Sequence, residues 1–324
     1  MILVCGEALV DLFAETSTGG EMPARIVAGG SPYNVAIGLA RLGIESAFLG
    51  GISRDGFGTL LAELLAREGV DDRYLVRTER LSTISVVTTD RDGHPGYAFH
   101  GEGAADRSLT AADLPAVLPD AIRALTFGSY TMAVEPVGSA FAALAERERG
   151  RRVISIDPNL RPTAIGDMAV WHRAAERFYR AATIIKASEE DIRIAWDGRR
   201  SPAEAAFHWL DLGARLVVVT LGEQGATGFS AAGQVSVPGH RVEVKDTVGA
   251  GDTFHAALLA RLALTGRLSP EAIAGLDREA LADLLAYAAA AAAITVTRRG
   301  ADLPTAVEVE AAARSPRAAR SAGA

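Results

Sequence analysis

The chain has 324 residues, of which 49% are hydrophobic and 23% charged, and its formal net charge at pH 7 is −7. This length and apolar content can build one large α/β core, whereas the acidic balance excludes the broad basic face of a nucleic-acid-binding protein. The single cysteine, Cys5, cannot form an internal disulfide, which is typical of proteins in the reducing cytoplasm.

The sequence also carries no membrane or secretion signal. Its first residues lack a basic segment and include Glu7 and Asp11, which argues against a signal peptide. The longest apolar run, Leu284–Ile294, is well short of the ~18 residues that a membrane-spanning helix needs. We therefore expect a cytoplasmic protein without a membrane partner, and the lack of a Cys/His cluster argues against zinc.

Short apolar runs alternate along the chain with stretches of helical periodicity. The pattern predicts strands at Met1–Cys5, Ser46–Gly50, Ala124–Phe127, Val153–Ile156, Ala182–Ile185 and Leu216–Val219. It predicts helices at Tyr33–Leu42, Phe57–Glu68 and Val137–Arg149. Strands that alternate with helices usually run parallel and are covered on both faces, so this order predicts an α/β fold with a mostly parallel central sheet.

Two stretches interrupt this alternation. Ser82–Asp90 and Tyr97–His100 are separated by an Asp92–Gly93 turn, which is typical of a β-hairpin. Residues 12–28 are also strand-like and contain glycine. Together these stretches predict a small β lid, formed by about 12–28 and 83–104, beside the main sheet.

The predicted organisation is a single domain. No long linker or internal repeat divides residues 1–324. The last stretch, 311–324, carries a few arginines among alanine and serine, and we expect it to be a frayed tail rather than a binding arm.

The strongest chemical motif is the segment Asp246–Phe254, with the sequence DTVGAGDTF. Gly249 and Gly251 precede a predicted helix, and small residues let unpaired backbone N–H groups converge at its positive end, where anions bind. Asp252, in the first turn, is either a carboxylate that satisfies backbone N–H groups or a general base beside an anion hole. The Gly-x-Gly-Asp pattern alone favours the first interpretation.

The whole segment resembles the C-terminal signature of the ribokinase-like (PfkB) carbohydrate kinases, and every position of that signature is filled. With the motifs below, the resemblance covers residues 1 to about 305. It implies the ribokinase-like three-layer fold and ATP-dependent phosphorylation of a small sugar hydroxyl, with ATP and Mg²⁺ as cofactors. It also makes Asp252 the catalytic base, and the backbone of Gly249, Ala250 and Gly251 the anion hole.

A second motif, Gly29–Ala36 (GGSPYNVA), resembles the N-terminal signature of the same family. Gly29 and Gly30 allow a ligand to approach the backbone closely, and the Asn34 amide offers donors and an acceptor to vicinal hydroxyls. Without the resemblance, a glycine-rich helix start and a ligand site are about equally good interpretations. The final glycine of the family signature is replaced by Ser53.

Further strings resemble the sugar side of fructokinases. Asp11 ends the string Gly6–Asp11 after the first strand, where α/β sheets bind ligands, and it is expected to accept hydrogen bonds from sugar hydroxyls. Arg161, in Asp157–Pro162 (DPNLRP), is expected to bind at the substrate site and to clamp phosphate with its guanidinium. Phe99 is expected to contact the substrate from the lid.

Other strings resemble the nucleotide side of the family. In Lys186–Asp191 (KASEED), Ser188 and Asp191 replace the usual Asn and Glu, and they also fit the N-cap and third helical position of a capping box. We still expect Asp191 to help place Mg²⁺. The resemblance assigns nucleotide binding to Lys186, Ser188, Thr220, Gly222, Gly225, Gly249 and Gly251. It assigns a monovalent cation, such as K⁺, to Asp246 and Thr247 together with the segment Thr297–Ala301.

Other classes of protein fit less well. A dehydrogenase would need Gly-x-Gly-x-x-Gly after the first strand, a Walker-type kinase would need Gly-Lys-Ser/Thr, and neither string occurs. A non-catalytic sugar-binding protein of the same fold would be expected to lose the base or the anion hole, and both are present.

Within the family, the strings favour a fructokinase that forms fructose 6-phosphate. The runner-up is a 2-keto-3-deoxygluconate kinase, with nucleoside kinases third. A sugar acid needs a cationic partner, whereas the lid segment Phe99–Gly101 contains no arginine. The expected partners are therefore ATP and a small neutral sugar, without nucleic acid, and a homodimer is one candidate assembly.

Overall fold

The computed structural model describes residues 1–15, 19–89 and 95–314. Its strands are β1 Ile2–Cys5, β2 Leu9–Ala14, β3 Ala24–Gly29, β4 Ser46–Ser53, β5 Leu75–Thr78, β6 Ile84–Thr89, β7 Pro95–His100, β8 Ala124–Gly128, β9 Val153–Asp157, β10 Ile184–Ser188, β11 Leu216–Thr220, β12 Ala226–Ser230 and β13 Gly233–Val237. Its helices are α1 Ser31–Arg41, α2 Gly56–Arg67, α3 Val137–Glu148, α4 Pro162–Ile165, α5 Met168–Ala181, α6 Glu189–Ala195, α7 Pro202–Asp211, α8 Ala250–Leu264, α9 Pro270–Ala274, α10 Arg278–Thr295 and α11 Ala306–Arg314.

A nine-stranded sheet forms the centre of the fold, in the order β13-β12-β11-β10-β9-β8-β1-β4-β5. The strands from β11 to β5 pair in parallel, and β12 and β13 extend one edge antiparallel. All the strands and helices predicted from the sequence are present, with ends that differ by at most three residues. The mostly parallel α/β sheet is therefore confirmed.

Alternate side chains of the central strands enter two separate cores. In β1, Ile2 and Val4 pack with residues of α1, α8 and α10, whereas Leu3 and Cys5 pack with residues of α3, α5 and α7. Helices therefore cover both faces of the sheet, which is why these strands are apolar throughout rather than alternating. The predicted three-layer arrangement is confirmed.

A second sheet of four strands, in the order β3-β2-β6-β7, lies beside the main one. We call it the lid sheet. Its β6 and β7 form the predicted antiparallel hairpin, and β2 and β3 account for the strand-like residues near 12–28. The predicted Asp92–Gly93 turn lies outside the described residues. That this sheet acts as a lid stays a prediction at this point.

The end of the chain differs from the expected frayed tail. Helix α11 continues to Arg314, so residues 311–314 are helical, and 315–324 lie outside the described residues. The helix is held because Val309 is completely buried in the core. In addition, the Glu308 carboxylate accepts hydrogen bonds from the Thr305 amide at 2.8 Å and from the Arg298 guanidinium.

Across the described ranges, no helix has both the length and the apolar content that crossing a membrane would require.

We predict that Val309→Ala lowers the free energy of unfolding by about 1–3 kcal/mol, because it removes buried methyl groups and leaves a cavity. Val307 lies on the same helix and is 78% exposed. Val307→Ala is therefore the matched control and should change stability by less than about 0.5 kcal/mol. Urea unfolding measures both effects, and equal effects would contradict the docking of α11 through Val309.

Candidate active site

Charged side chains collect at the carboxyl edge of the central sheet. Glu7 follows β1, Asp157 ends β9, and Lys186 lies near the end of the neighbouring β10. Because parallel strands end at the same edge, and because α/β folds bind ligands there, these residues mark a candidate crevice.

Asp252 lies where two helices begin. It is the third residue of α8, and it is only 8% exposed. Its carboxylate accepts a hydrogen bond from the Ser31 hydroxyl at 2.6 Å and another from the Asn34 side-chain amide at 2.8 Å. Both donors lie at the start of α1. The fold thus brings together the two signature motifs, which are far apart in the sequence.

The backbone just before Asp252 presents unpaired amides. Gly249 has a left-handed φ of 79°, and α8 begins at the next residue. Among the described backbone contacts, the amides of Gly251 and Asp252 have no partner, whereas the Ala250 amide donates to the Thr247 carbonyl at 3.3 Å. Unpaired amides at a helix start can receive an anion. The Ala250 amide of the predicted anion hole is already paired, and the anion hole itself stays a prediction.

The loop around Asp246 lies against the segment Thr297–Ala301. The Asp246 carboxylate accepts a hydrogen bond from the Gly300 amide at 2.7 Å. A Cβ atom at Gly249 would lie 2.7 Å from the Ala301 side chain, so this contact requires glycine. The structure therefore brings together the segments expected around the monovalent cation, and the cation site itself stays a prediction.

Asp11, on β2 of the lid sheet, reaches the same crevice. Burial raises the pKa of Asp11, and the nearby Asp252 charge raises it further. The adjacent Ser85 hydroxyl and the Arg161 guanidinium act in the opposite direction. Two carboxylates, one cation and one hydroxyl thus share this small region of the crevice.

The two glycines of the N-terminal signature first of all make room for groups of the protein. A Cβ atom at Gly29 would lie 2.4 Å from an oxygen of the Asp11 carboxylate. Gly30 has a φ of 111°, and a Cβ there would lie 2.8 Å from the Glu7 carbonyl oxygen. Groups of the protein itself therefore approach the backbone of these two glycines closely, as was predicted for a ligand. Contact of the glycines with a substrate stays a prediction.

Arg161 lies near Asp11 in the crevice. One of its guanidinium nitrogens donates to the Leu160 carbonyl at 3.0 Å. Burial raises the pKa of Glu7 to about 7 and also raises that of Asp11, and the charge of Arg161 partly offsets both effects. Arg161 is therefore close to the predicted sugar ligand Asp11, and its expected phosphate contact stays a prediction.

Lys186 and Asp157 form a buried ion pair behind the predicted anion hole. The Lys186 Nζ lies 2.8 Å from a carboxylate oxygen of Asp157, and both side chains are about 95% buried. A Cβ atom at Gly251 would lie 3.3 Å from the same Nζ. Burial lowers the pKa of Lys186, but Asp157 and Asp191 raise it more strongly, so the ammonium stays charged. A positive charge therefore lies directly behind the Gly251 backbone.

Ser188 and Asp191 form a capping box at the start of α6. The Ser188 hydroxyl accepts a hydrogen bond from the Asp191 amide, and one Asp191 oxygen accepts from the Ser188 amide at 2.9 Å. The other Asp191 oxygen accepts from the Leu160 amide at 2.8 Å. Residues 1–15, 19–89 and 95–314 contain no group of three His, Cys, Asp or Glu side chains able to hold a metal. The magnesium role of Asp191 stays a prediction.

The remaining predicted nucleotide residues lie after β11. Thr220 ends the strand, and Gly222 begins a short 3₁₀ turn that leads to Gly225. Gly225 has a φ of 100°, and a Cβ atom there would lie 2.1 Å from the Val237 carbonyl oxygen. Glycine is thus required for the turn to pass β13, and contact with a nucleotide stays a prediction.

Phe99 links the lid sheet to the body of the protein. Its ring packs edge-to-face against Tyr130, with 5.8 Å between the centroids. The same small apolar cluster contains Leu9 and Ala164. The predicted substrate contact of Phe99 is compatible with this position, because Tyr130 directly follows the carboxyl edge of β8.

Sequence reasoning assigned no role to three residues of this region. Ser31 lies inside the N-terminal signature Gly29–Ala36, and Glu7 follows the first strand within the string Gly6–Asp11. Ser129 has a φ of 58°, which is uncommon without glycine and is typical of constrained sites. The position of Glu7 directly after a buried strand could have indicated a site residue from the sequence. The contact of Ser31 with Asp252 depends on tertiary structure and has no such sequence signal.

Residues 1–307 match the sequence profile of the pfkB family carbohydrate kinases. The chain belongs to this family. A fructokinase from Rhizobium leguminosarum bv. trifolii is 44% identical to this PfkB kinase over 282 residues, which cover 87% of the chain and 85% of that relative.

Solved structures agree with this membership. A fructokinase with bound ATP from Xylella fastidiosa has a TM-score of 0.87 at 27% identity, covering 96% of this chain and 97% of its own. A fructokinase from Vibrio cholerae O395, in its fructose, ADP and calcium ion bound form, has a TM-score of 0.79 at 30% identity. The match covers 96% of this chain and 97% of that one. This PfkB kinase is therefore an ATP-dependent carbohydrate kinase with the ribokinase-like three-layer fold.

We predict that Gly249→Ala lowers kcat of the PfkB kinase by about 10-fold or more, because the new Cβ would displace the anion-hole loop from Ala301. Gly266→Ala is the matched control. Gly266 also has a left-handed φ, of 69°, but no heavy atom lies within 4 Å of its Cβ position.

Both substitutions carry the left-handed backbone strain of about 1–2 kcal/mol. Thermal unfolding should therefore register both, whereas steady-state kinetics should register only Gly249→Ala. Similar kcat values for the two variants would show that the loop position does not matter.

Proposed function

We propose that this PfkB kinase is a fructokinase that transfers the γ-phosphoryl group of ATP to the 6-hydroxyl of D-fructose. The observation that carries the proposal is the position of Asp252. Its buried carboxylate lies next to unpaired backbone amides, so a proton acceptor and an anion site occur side by side. Phosphoryl transfer to a hydroxyl requires both.

In the proposed reaction, the sugar hydroxyl gives its proton to Asp252 while its oxygen attacks the γ-phosphorus. The bond between the γ-phosphorus and its bridging oxygen breaks, and ADP leaves. The Gly251 and Asp252 amides, with the Lys186 ammonium behind them, oppose the negative charge on the transferred group. A positioned base contributes about 10²–10⁴ in rate.

We propose that Mg²⁺ is held mainly by the phosphates of ATP, because Mg²⁺ often needs only one or two protein carboxylates. Asp191 is the candidate carboxylate, although both of its oxygens already accept hydrogen bonds. When bound, the ion neutralises phosphate charge. Asp246 and Thr247 stay the candidates for a monovalent cation such as K⁺.

The charges of the crevice support a neutral sugar. Asp11 and Asp252 are both carboxylates, and the charge of Arg161 is shared between Asp11 and Glu7. A sugar carboxylate would meet more negative than positive charge, and burying a poorly compensated charge costs several kcal/mol. A neutral hexose presents hydroxyls. Asp11 can accept hydrogen bonds from them, and Asn34 can donate to them with its second N–H and accept from them with its carbonyl.

One observation favours the second candidate, a 2-keto-3-deoxygluconate kinase. The lid residues Phe99–Gly101 contain no arginine, but Arg161, in the body of the protein, supplies a fixed positive charge near Asp11. The guanidinium of Arg161 donates only to backbone carbonyls among the described contacts, so a sugar carboxylate could still pair with it. The substrate comparison below distinguishes the two candidates.

We also propose that the lid sheet closes over the sugar and excludes water, which otherwise competes as phosphoryl acceptor. Support comes from Asp11 and Phe99, which lie on lid strands and reach the crevice. The requirement for ATP and the free, buried Cys5 favour the cytoplasm. The homodimer stays a prediction.

We predict that kcat/KM for D-fructose exceeds that for 2-keto-3-deoxygluconate, ribose and adenosine by about 10-fold or more, as expected when a charge must be buried without a partner. Steady-state assays at fixed ATP and Mg²⁺ measure all four substrates. Release of inorganic phosphate from ATP is measured in parallel with the sugar present, and it should be slow relative to sugar phosphorylation if the closed lid excludes water.

A preference for the sugar acid would replace the fructokinase assignment by the second candidate. Turnover of none of the four substrates would contradict the proposed function altogether. Fast hydrolysis of ATP in the presence of sugar would contradict the lid alone.

A further inference from the structure

Ser31 is the residue in contact with the base that no motif assigns a role. Its hydroxyl donates to one oxygen of Asp252 at 2.6 Å, and the Asn34 amide donates to the other oxygen. A length of 2.6 Å lies in the range of charge-assisted O–H···O⁻ bonds, which are about twice as strong as neutral ones.

The surrounding backbone fixes the position of this hydroxyl. Ser31 is the first residue of α1, and Gly30 before it rests on the Glu7 carbonyl, where a Cβ would approach to 2.8 Å. On the other side, the Pro32 ring packs against Gly6, where a Cβ would lie 2.2 Å from the ring. The residues on both sides of Ser31 are therefore locked against the loop that follows β1.

The Ser31 hydroxyl makes no local hydrogen bond among the described contacts. The N-cap of α1 is Gly30, which has no side chain, and Ser31 follows it as the first helical residue. The hydroxyl crosses instead to α8, on a different helix, and ends on the carboxylate of Asp252.

Two donors on two different oxygens restrict how the carboxylate can turn. The terminal torsion of an aspartate is broad, so a single hydrogen bond leaves the carboxylate free to rotate about that contact. With both oxygens held, the plane of the carboxylate is fixed, and the remaining lone pairs point in defined directions. A base must be within hydrogen-bond reach of its proton in a defined direction.

We propose that Ser31 is a positioning residue that, together with Asn34, fixes the carboxylate plane of Asp252 for proton abstraction. This inference rests on the proposed role of Asp252 as the base. The charged groups that face Asp252 from other elements are Asp11 on β2, Asp157 on β9 and Lys186 on β10. Among the described contacts, none of these groups donates a hydrogen bond to the Asp252 carboxylate, so its side-chain donors are Ser31 and Asn34.

Ser31→Ala tests the proposal, since it removes the hydroxyl and keeps the Cβ atom. We expect kcat to fall by about 10–100-fold, as for loss of a hydrogen bond to a charged group, while the Kd values for ATP and sugar change less than about twofold. Ser201→Ala is the matched control, because the Ser201 hydroxyl donates to the Glu204 carboxylate at 2.7 Å at the start of α7. That variant should keep the wild-type kcat.

A double-mutant cycle shows whether Ser31 acts through the base. In an Asp252→Asn background, Ser31→Ala should change the residual single-turnover rate, measured with radiolabelled ATP, by less than about twofold. A kcat for Ser31→Ala within twofold of wild type would overturn the proposal, and so would an equal loss in both backgrounds. A wild-type protein that phosphorylates no sugar would instead refute the proposed function, and the inference would fall with it.

Discussion

The central constraint on this structure is that a carboxylate, Asp252, must be held almost out of water in one orientation. An isolated buried charge is very costly unless it is hydrogen-bonded. Here the donors come from the start of α1, and the carboxylate itself belongs to the first turn of α8. The positive ends of two helices therefore meet at one acid. Helices α1 and α8 are far apart in the sequence, and their packing against each other brings these two helix starts together.

Close backbone contacts maintain that geometry. Gly30 and Gly249 both have left-handed φ values, and a Cβ at either would strike a neighbour, the Glu7 carbonyl or the Ala301 side chain. Each glycine lies immediately before one of the two helices. The glycines of both signatures therefore serve the placement of helix starts, as well as any ligand that approaches them.

The charges of the crevice are arranged around the same acid. The Lys186 ammonium lies behind the Gly251 backbone, on the proposed phosphate side, and is paired there with Asp157. Asp11 and Arg161 lie on the sugar side, where burial raises the pKa of Asp11 and Arg161 partly offsets it. The proposed phosphate and sugar sides of Asp252 therefore carry different sets of charged groups.

Much of the fold could be predicted from the sequence, because the central strands bury both faces and their apolar runs are continuous. The edge strands β12 and β13 could not, because they are short and rich in Gly, Ser and Thr. The local motifs identified Asp252 only with the help of the family resemblance.

Contacts between distant segments, such as Ser31 with Asp252 or Lys186 with Gly251, leave no periodic signal in the sequence. Asp191 illustrates the same limit, since its string fits a capping box and a magnesium ligand equally well. Residues 311–314 were expected to belong to a tail but continue helix α11, which the burial of Val309 holds against the core.

The most direct test of the account is turnover by Asp252→Asn, with the Kd values for ATP and fructose measured on the same protein by calorimetry. Asp11→Asn serves as the control, since it neutralises another carboxylate of the same crevice. We expect Asp252→Asn to lower kcat by about 10²–10⁴ with both Kd values within a few-fold of wild type, whereas Asp11→Asn should act mainly on the KM for the sugar. A near-normal kcat for Asp252→Asn would contradict the assignment of the base.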